Sequence, residues 1–109
     1  MDHIEIERLV EQSADAATML RALANQQRLL ILCHLSAAGE LSASALNGRM
    51  ELSQSALSQH LARLREEGLV TFRRDAQTLI YRIADERVSR LLGLLHELYC
   101  PNLQPEGAS

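Results

Sequence analysis

A chain of 109 residues has room for one small domain, and at 47% hydrophobic but only 3% aromatic its core has to be built from Leu, Ile, Val and Ala. That mix favours helices, and no apolar run approaches the ~20 residues that span a bilayer. The acidic opening MDHIEIERLVEQ lacks the form of a signal peptide, so a soluble, cytoplasmic protein with no membrane partner is expected.

The apolar residues Ile6, Leu9, Val10, Ala17, Leu20 and Leu23 recur at helical spacing and predict a first helix from Ile4 to about Leu23. Ala24-Asn25 breaks it, and Asn25 is the expected N-cap of a second helix, Gln26 to about Ser36, closed by Ala38-Gly39. Its run LLILC is apolar nearly all round, so this helix is expected to be the central buried element. Ser42 can cap a short third helix, Ala43 to about Met50, and Glu51-Leu52-Ser53 then connect to a fourth, Gln54 to Glu67, with Gly68 as its left-handed stop. Beyond Gly68 the period becomes two. Leu69–Arg73 and Thr78–Ile83 read as strands around a turn from Arg74 to Gln77. A last helix, about Asp85 to Tyr99, aligns Val88, Leu91, Leu92, Leu95 and Leu98. Pro101 should stop it, and 102–109 should form a disordered tail. The expected fold is therefore mainly α with a small β-hairpin: a single winged helix-turn-helix domain, 1–109, of five helices plus a wing.

The fourth helix carries the functional signal. Leu57, Leu61 and Leu64 define a buried face, while Ser55, Gln59 and Arg63 lie opposite, with Gln54 and Ser58 on the flank near its start. Small hydroxyls allow close approach to a DNA groove, Gln pairs bidentately with adenine, and Arg reaches guanine or phosphate. His60 is read as a packing or phosphate-contacting residue. Arg73 and Arg74 near the wing tip suit phosphate or the minor groove. The net charge of −3 is unevenly spread. Between Ser42 and Arg82 six arginines face four acids, so the reading segment is locally basic even though the chain is not. Glu66, Glu67 and Asp75 oppose phosphate, which points to modest affinity with a clear salt dependence.

A core of this size cannot bury every apolar stripe, so the first and last helices are expected to pair across a two-fold axis. The homodimer then reads an inverted-repeat operator in double-stranded DNA with half-sites ~34 Å, or a multiple, apart. No phosphate loop, nucleophile elbow, paired-carboxylate motif or cofactor box is present, so neither catalysis nor a cofactor is expected. His3, His34, His60 and His96 fall in different elements without ligand spacing, and no metal site is assigned. Cys33 and Cys100 are the two cysteines; in a reducing compartment they are free thiols.

The segments LRALANQQRLLILCHL, LSQSALSQHLARLREEGLV and RRDAQTLIYRI resemble the ArsR/SmtB superfamily of dimeric bacterial repressors, over about residues 13 to 101. Within it the chain is most similar to the branch of HlyU, BigR and SqrR, whose members carry one cysteine in the second helix and another at the end of the last. Here LLILC supplies Cys33 and LLHELYCP supplies Cys100. The resemblance implies a sensor whose two thiols bridge on meeting a sulfane-sulfur species or oxidant, releasing DNA. Nothing beside either cysteine in the sequence is an obvious thiolate activator. Three alternatives stay open: a metal- or metalloid-responsive repressor using the two soft thiols, a DNA binder with inert thiols, and a winged helix used for protein contact.

Overall fold

The computed structural model describes residues 1–100, so the expected stop at Pro101 and the tail 102–109 lie outside the described residues. Helix α1, His3–Leu23, starts with a capping box. The Asp2 carboxylate accepts from the Glu5 N–H at 2.8 Å, and Glu5 accepts in turn from the Asp2 N–H at 3.4 Å. Only its C-terminal end packs, through Met19, Ala22 and Leu23. Helix α2, Gln26–Ala38, is capped by Asn25 as expected, its side chain accepting from the Arg28 N–H at 3.1 Å. Gly39 ends it at φ 85°, a conformation open to glycine at little cost.

Helix α2 lies at the centre of the core as expected, but it is not covered on every side. Ile31, Leu32 and Leu35 are fully buried, but Leu30 is 40% exposed and Cys33 is exposed. At 100° per residue the LLILC run wraps the whole cylinder, and only one side of it meets the other elements. Leu30 and Cys33, three apart, share the open side.

A two-residue strand, β1, Leu41–Ser42, leads into α3, Ala43–Arg49, whose N-cap is Ser42. Asn47 Nδ2 donates to the Leu52 carbonyl at 2.9 Å and fixes the connector. Helix α4, Gln54–Glu66, is capped by Ser53, whose hydroxyl accepts from the Ala56 N–H at 3.1 Å. It closes in a Schellman motif: Leu69 N–H donates to Leu64 O at 2.9 Å and Gly68 N–H to Arg65 O at 3.0 Å, with Gly68 at φ 75°. Strands β2, Val70–Asp75, and β3, Thr78–Ile83, follow, and then α5, Glu86–Tyr99, capped by Asp85.

Two further expectations change. The sheet has three antiparallel strands in the order β1-β3-β2, not two, because Leu41 pairs with Tyr81 and Ser42 with Ile80. The turn is also shorter than Arg74–Gln77. Asp75 pairs with Thr78, leaving only Ala76-Gln77 to reverse the chain, and Ala76 takes φ 56°. Two-residue hairpins require such positive φ because it matches the strand twist. Arg74 consequently lies within a strand. The register puts Val70, Phe72, Arg74, Leu79, Tyr81 and Ile83 on one sheet face, and Val70, Tyr81 and Ile83 carry that face onto the core. Thr71, Arg73, Asp75, Thr78, Ile80 and Arg82 form the outer face.

The core is a single cluster of aliphatic side chains from every helix and from the sheet, with Ile31, Leu32, Leu35, Leu46, Leu64 and Val88 at its centre. Among the described residues it contains no buried polar or charged residue. α4 is therefore held by packing alone along its inner side.

Candidate nucleic-acid interface

Leu57, Leu61 and Leu64 are 2%, 2% and 0% exposed, which fixes the rotation of α4 about its axis. With that rotation set, Gln54, Ser55, Ser58, Gln59 and Arg63 are exposed and His60 is half-buried. An open cleft of about 500 Å³ runs between the start of α4, the start of α3 and the wing, lined by Ser44, Gln54, Ser55, Ser58, Gln77 and Thr78 among others. Its floor is apolar, from Leu57, Leu61, Leu79 and Tyr81, while the hydroxyls and amides around it can donate to or accept from base edges and phosphates alike. Ser44, Gln77 and Thr78 were not singled out from sequence; they enter because the sheet folds the wing against α4.

Arg63 reaches one turn forward to the C-cap of its own helix, Nε donating to Glu67 Oε1 at 3.3 Å. The other Glu67 oxygen, Oε2, is buried without a hydrogen-bond partner among the described residues. Arg65, also overlooked, lies with its guanidinium 4.3 Å from the centroid of the Phe72 ring. Phe72 in turn packs at a tilt on Tyr81, 5.5 Å between centroids. This stack ties the C-terminal half of α4 to the wing.

The two wing arginines diverge. Arg74 is exposed and forms no ion pair among the described residues. Arg73, on the opposite sheet face, grips both oxygens of Glu40, from Nη2 at 2.8 Å and from Nε at 3.4 Å, and lies 4.0 Å from Asp75. The Arg73 hydrogen bond holds the Glu40 carboxyl below its usual range, with the charges of Arg73 and Arg82 adding to it.

Both cysteines are free thiols. Cys33 opens to the surface of α2, and Cys100 sits half-exposed at the C-cap of α5, its N–H donating to His96 O at 2.8 Å. Neighbouring protein nevertheless desolvates the Cys33 thiol enough to push it up. Among the described residues no group of three or more His, Cys, Asp or Glu converges as a metal site, and no helix is long and apolar enough to cross a membrane. Ile6, Leu9, Val10 and Leu20 on α1, and Leu94, Leu98 and Tyr99 on α5, are each about half exposed or more.

Residues 25–71, from the cap of α2 into β2, match the model of a bacterial regulatory protein, arsR family. The chain is 48% identical over 97 residues to the transcriptional activator HlyU of Vibrio cholerae, covering 89% of each chain. It is 44% identical over 97 residues to the HTH-type transcriptional regulator YgaV of Escherichia coli, covering 89% of this chain and 98% of that one. The structure of reduced HlyU from Vibrio cholerae superimposes with a TM-score of 0.79 at 50% identity, covering 86% of this chain and 98% of that chain. The transcriptional repressor BigR from Xylella fastidiosa superimposes at 0.78 with 30% identity, covering 92% and 98%.

Proposed function

This chain belongs to the arsR family of bacterial regulatory proteins and is a transcriptional regulator, not an enzyme, and from that premise we propose that it binds an inverted-repeat operator as a homodimer under thiol control. The observation that carries the DNA-binding part is the division of α4. Three leucines seat it in the core, while Gln54, Ser55, Ser58, Gln59 and Arg63 face outward, the first three of them along the cleft between α4 and the wing. Gln and Arg on that face read bases in the major groove, His60 and the hydroxyls approach the backbone, and Arg73 and Arg74 take phosphates from the wing. The apolar residues exposed on α1 and α5 support pairing of two copies, since a monomer in water would leave that surface wet.

The thiol part rests on Cys33 and Cys100, two free thiols on the helices α2 and α5, and on a relative whose structure is described as reduced. One thiolate attacks a sulfane sulfur of an inorganic polysulfide, breaking its S–S bond, so that the shortened polysulfide leaves and the cysteine becomes a persulfide. The other thiolate then attacks the inner sulfur, expelling hydrosulfide and leaving a disulfide. Partial burial pushes the Cys33 thiol up, which lowers the share of reactive thiolate at that site. A bridge ties together α2 and α5, the helices that lie between the apolar surface proposed as the dimer seam and the helix-turn-helix of α3 and α4. A loss of about 2–3 kcal/mol in operator binding lowers affinity by one to two orders of magnitude.

The test is binding to a labelled duplex from the region upstream of the protein's own gene, with reductant, with inorganic polysulfide and with peroxide. Release by polysulfide, reversed by reductant and absent in Cys33→Ser, is the expected result. Binding that ignores both oxidants returns the thiols to a passive role. Binding to a partner that scarcely changes from low to physiological salt would argue for a protein-contact module instead.

A further inference from the structure

One arginine on the outer face of the wing is already engaged by an acid 33 residues away. Register places Arg73 opposite Ile80, and Glu40 precedes Leu41, which pairs with Tyr81. The Glu40 side chain therefore has to cross β3 to meet Arg73, and it does so with both oxygens. That two-oxygen grip has the geometry with which a guanidinium takes a phosphate. Arg74, on the other sheet face opposite Leu79, has no such occupant among the described residues.

We propose that Glu40 acts as an internal stand-in for a DNA phosphate, occupying Arg73 and holding down the protein's affinity for duplex DNA of any sequence. The inference rests on the DNA-binding reading above. An arginine that exchanges a carboxylate for a phosphate leaves a bare anion beside the DNA backbone, so the exchange adds little net charge neutralisation. Arg74 is then the wing's standing cation. Arg73 and Glu40 are 53% and 46% exposed, so water screens the pair and exchange is open. Arg82, on the same face, adds a second positive charge near Glu40. Asp75 lies 4.0 Å from Arg73 Nη1 and makes no hydrogen bond to it, so it does not replace the grip. Phosphate contacts carry no sequence information, so the restraint acts equally on operator and random DNA.

The experiment is fluorescence anisotropy with two labelled duplexes, the upstream fragment and a random sequence, across a salt series. The proteins are native, E40Q, R73A, E40Q/R73A and R74A, each checked by circular dichroism for native helix content. E40Q should bind both duplexes several-fold more tightly at 50 mM salt and steepen the log–log salt slope by about 0.9, so its advantage shrinks roughly threefold by 200 mM. On the R73A background the same substitution should give a clearly smaller gain, since it then relieves only the repulsion between the bare Glu40 carboxylate and the DNA and frees no arginine. R74A should lose about 0.9 from the slope. E40Q matching native in affinity and slope overturns the inference alone, as does a gain that is undiminished without Arg73. A native protein that binds neither duplex overturns the DNA-binding reading with it.

Discussion

Two substitutions on one helix, two residues apart, should separate stability from function. Leu61 is 2% exposed and belongs to the core cluster, whereas Gln59 is exposed on the outer face of α4. Leu61→Ala removes three carbons, worth about 2.4 kcal/mol at ~0.8 kcal/mol each. Incomplete collapse of the void raises the cost toward ~3–4 kcal/mol. For a domain of this size each kcal/mol moves the midpoint by about 4–8 °C, so a fall of about 12 °C or more is expected. Gln59→Ala should leave the midpoint within the change that corresponds to about 0.5 kcal/mol. It should instead weaken specific operator binding by about 1–3 kcal/mol while leaving random DNA unaffected. Thermal unfolding and urea titration, at one fixed protein concentration because association shifts apparent stability, give the first quantity. Anisotropy on specific and random duplexes gives the second. The reasoning fails if Gln59→Ala destabilises as much as Leu61→Ala, or if Leu61→Ala costs under 1 kcal/mol.

Ser53→Ala should destabilise by about 1 kcal/mol in urea, since it strips the cap that accepts the Ala56 N–H at the start of α4; Ser53→Gly should lose less. Asp85 has its carboxyl lowered below 3.8, first by its hydrogen bond with Arg87 and then by the Arg87 N–H and charge. A depressed folded value means the contribution is intact above pH 4 and is lost as pH falls through that lower value. Asp85→Asn should therefore flatten the acid side of a stability-against-pH curve below pH 4, and an unchanged curve would refute the assignment. Cys33, pushed above 9.0 by burial, should be alkylated by iodoacetamide in the Cys100→Ser protein more slowly than free cysteine at neutral pH. Its rate should still be climbing past pH 9. Arg65→Ala should cost ~0.5–1 kcal/mol through loss of the stack on Phe72, read by urea titration.

Features set by neighbouring residues were open to a reading of the sequence. Asn25 and Ser42 cap the helices they were expected to cap, and Gly68 takes the positive φ that its place after α4 demands. Leu57, Leu61 and Leu64 are buried because helical period alone puts them on one side. What stayed hidden depends on contacts distant in the chain. Leu41–Ser42 is too short to show a strand period and becomes one only because β3, some forty residues later, lies beside it. The Arg73–Glu40 pair and the Arg65–Phe72 stack require the sheet register before they can be seen. The exposure of Leu30 and Cys33 likewise depends on which side of α2 the rest of the molecule covers, and no local pattern in LLILC distinguishes the sides. For the tight turn, Ala76 offered no glycine or asparagine to announce a positive φ.

Ser42 holds two neighbours at once: its backbone pairs with Ile80 in the hairpin while its hydroxyl receives the Ala45 N–H at the head of α3. Hairpin and helix pair thus share a single residue, and the Asn47–Leu52 bond ties the next joint along. A unit braced in this way moves as a rigid lever. In the homodimer proposed above, adjustment to a shorter or longer target then falls to the seam between the two copies, so tolerance to spacing should change with substitutions at Leu9 or Leu98 and not with those at Ser42.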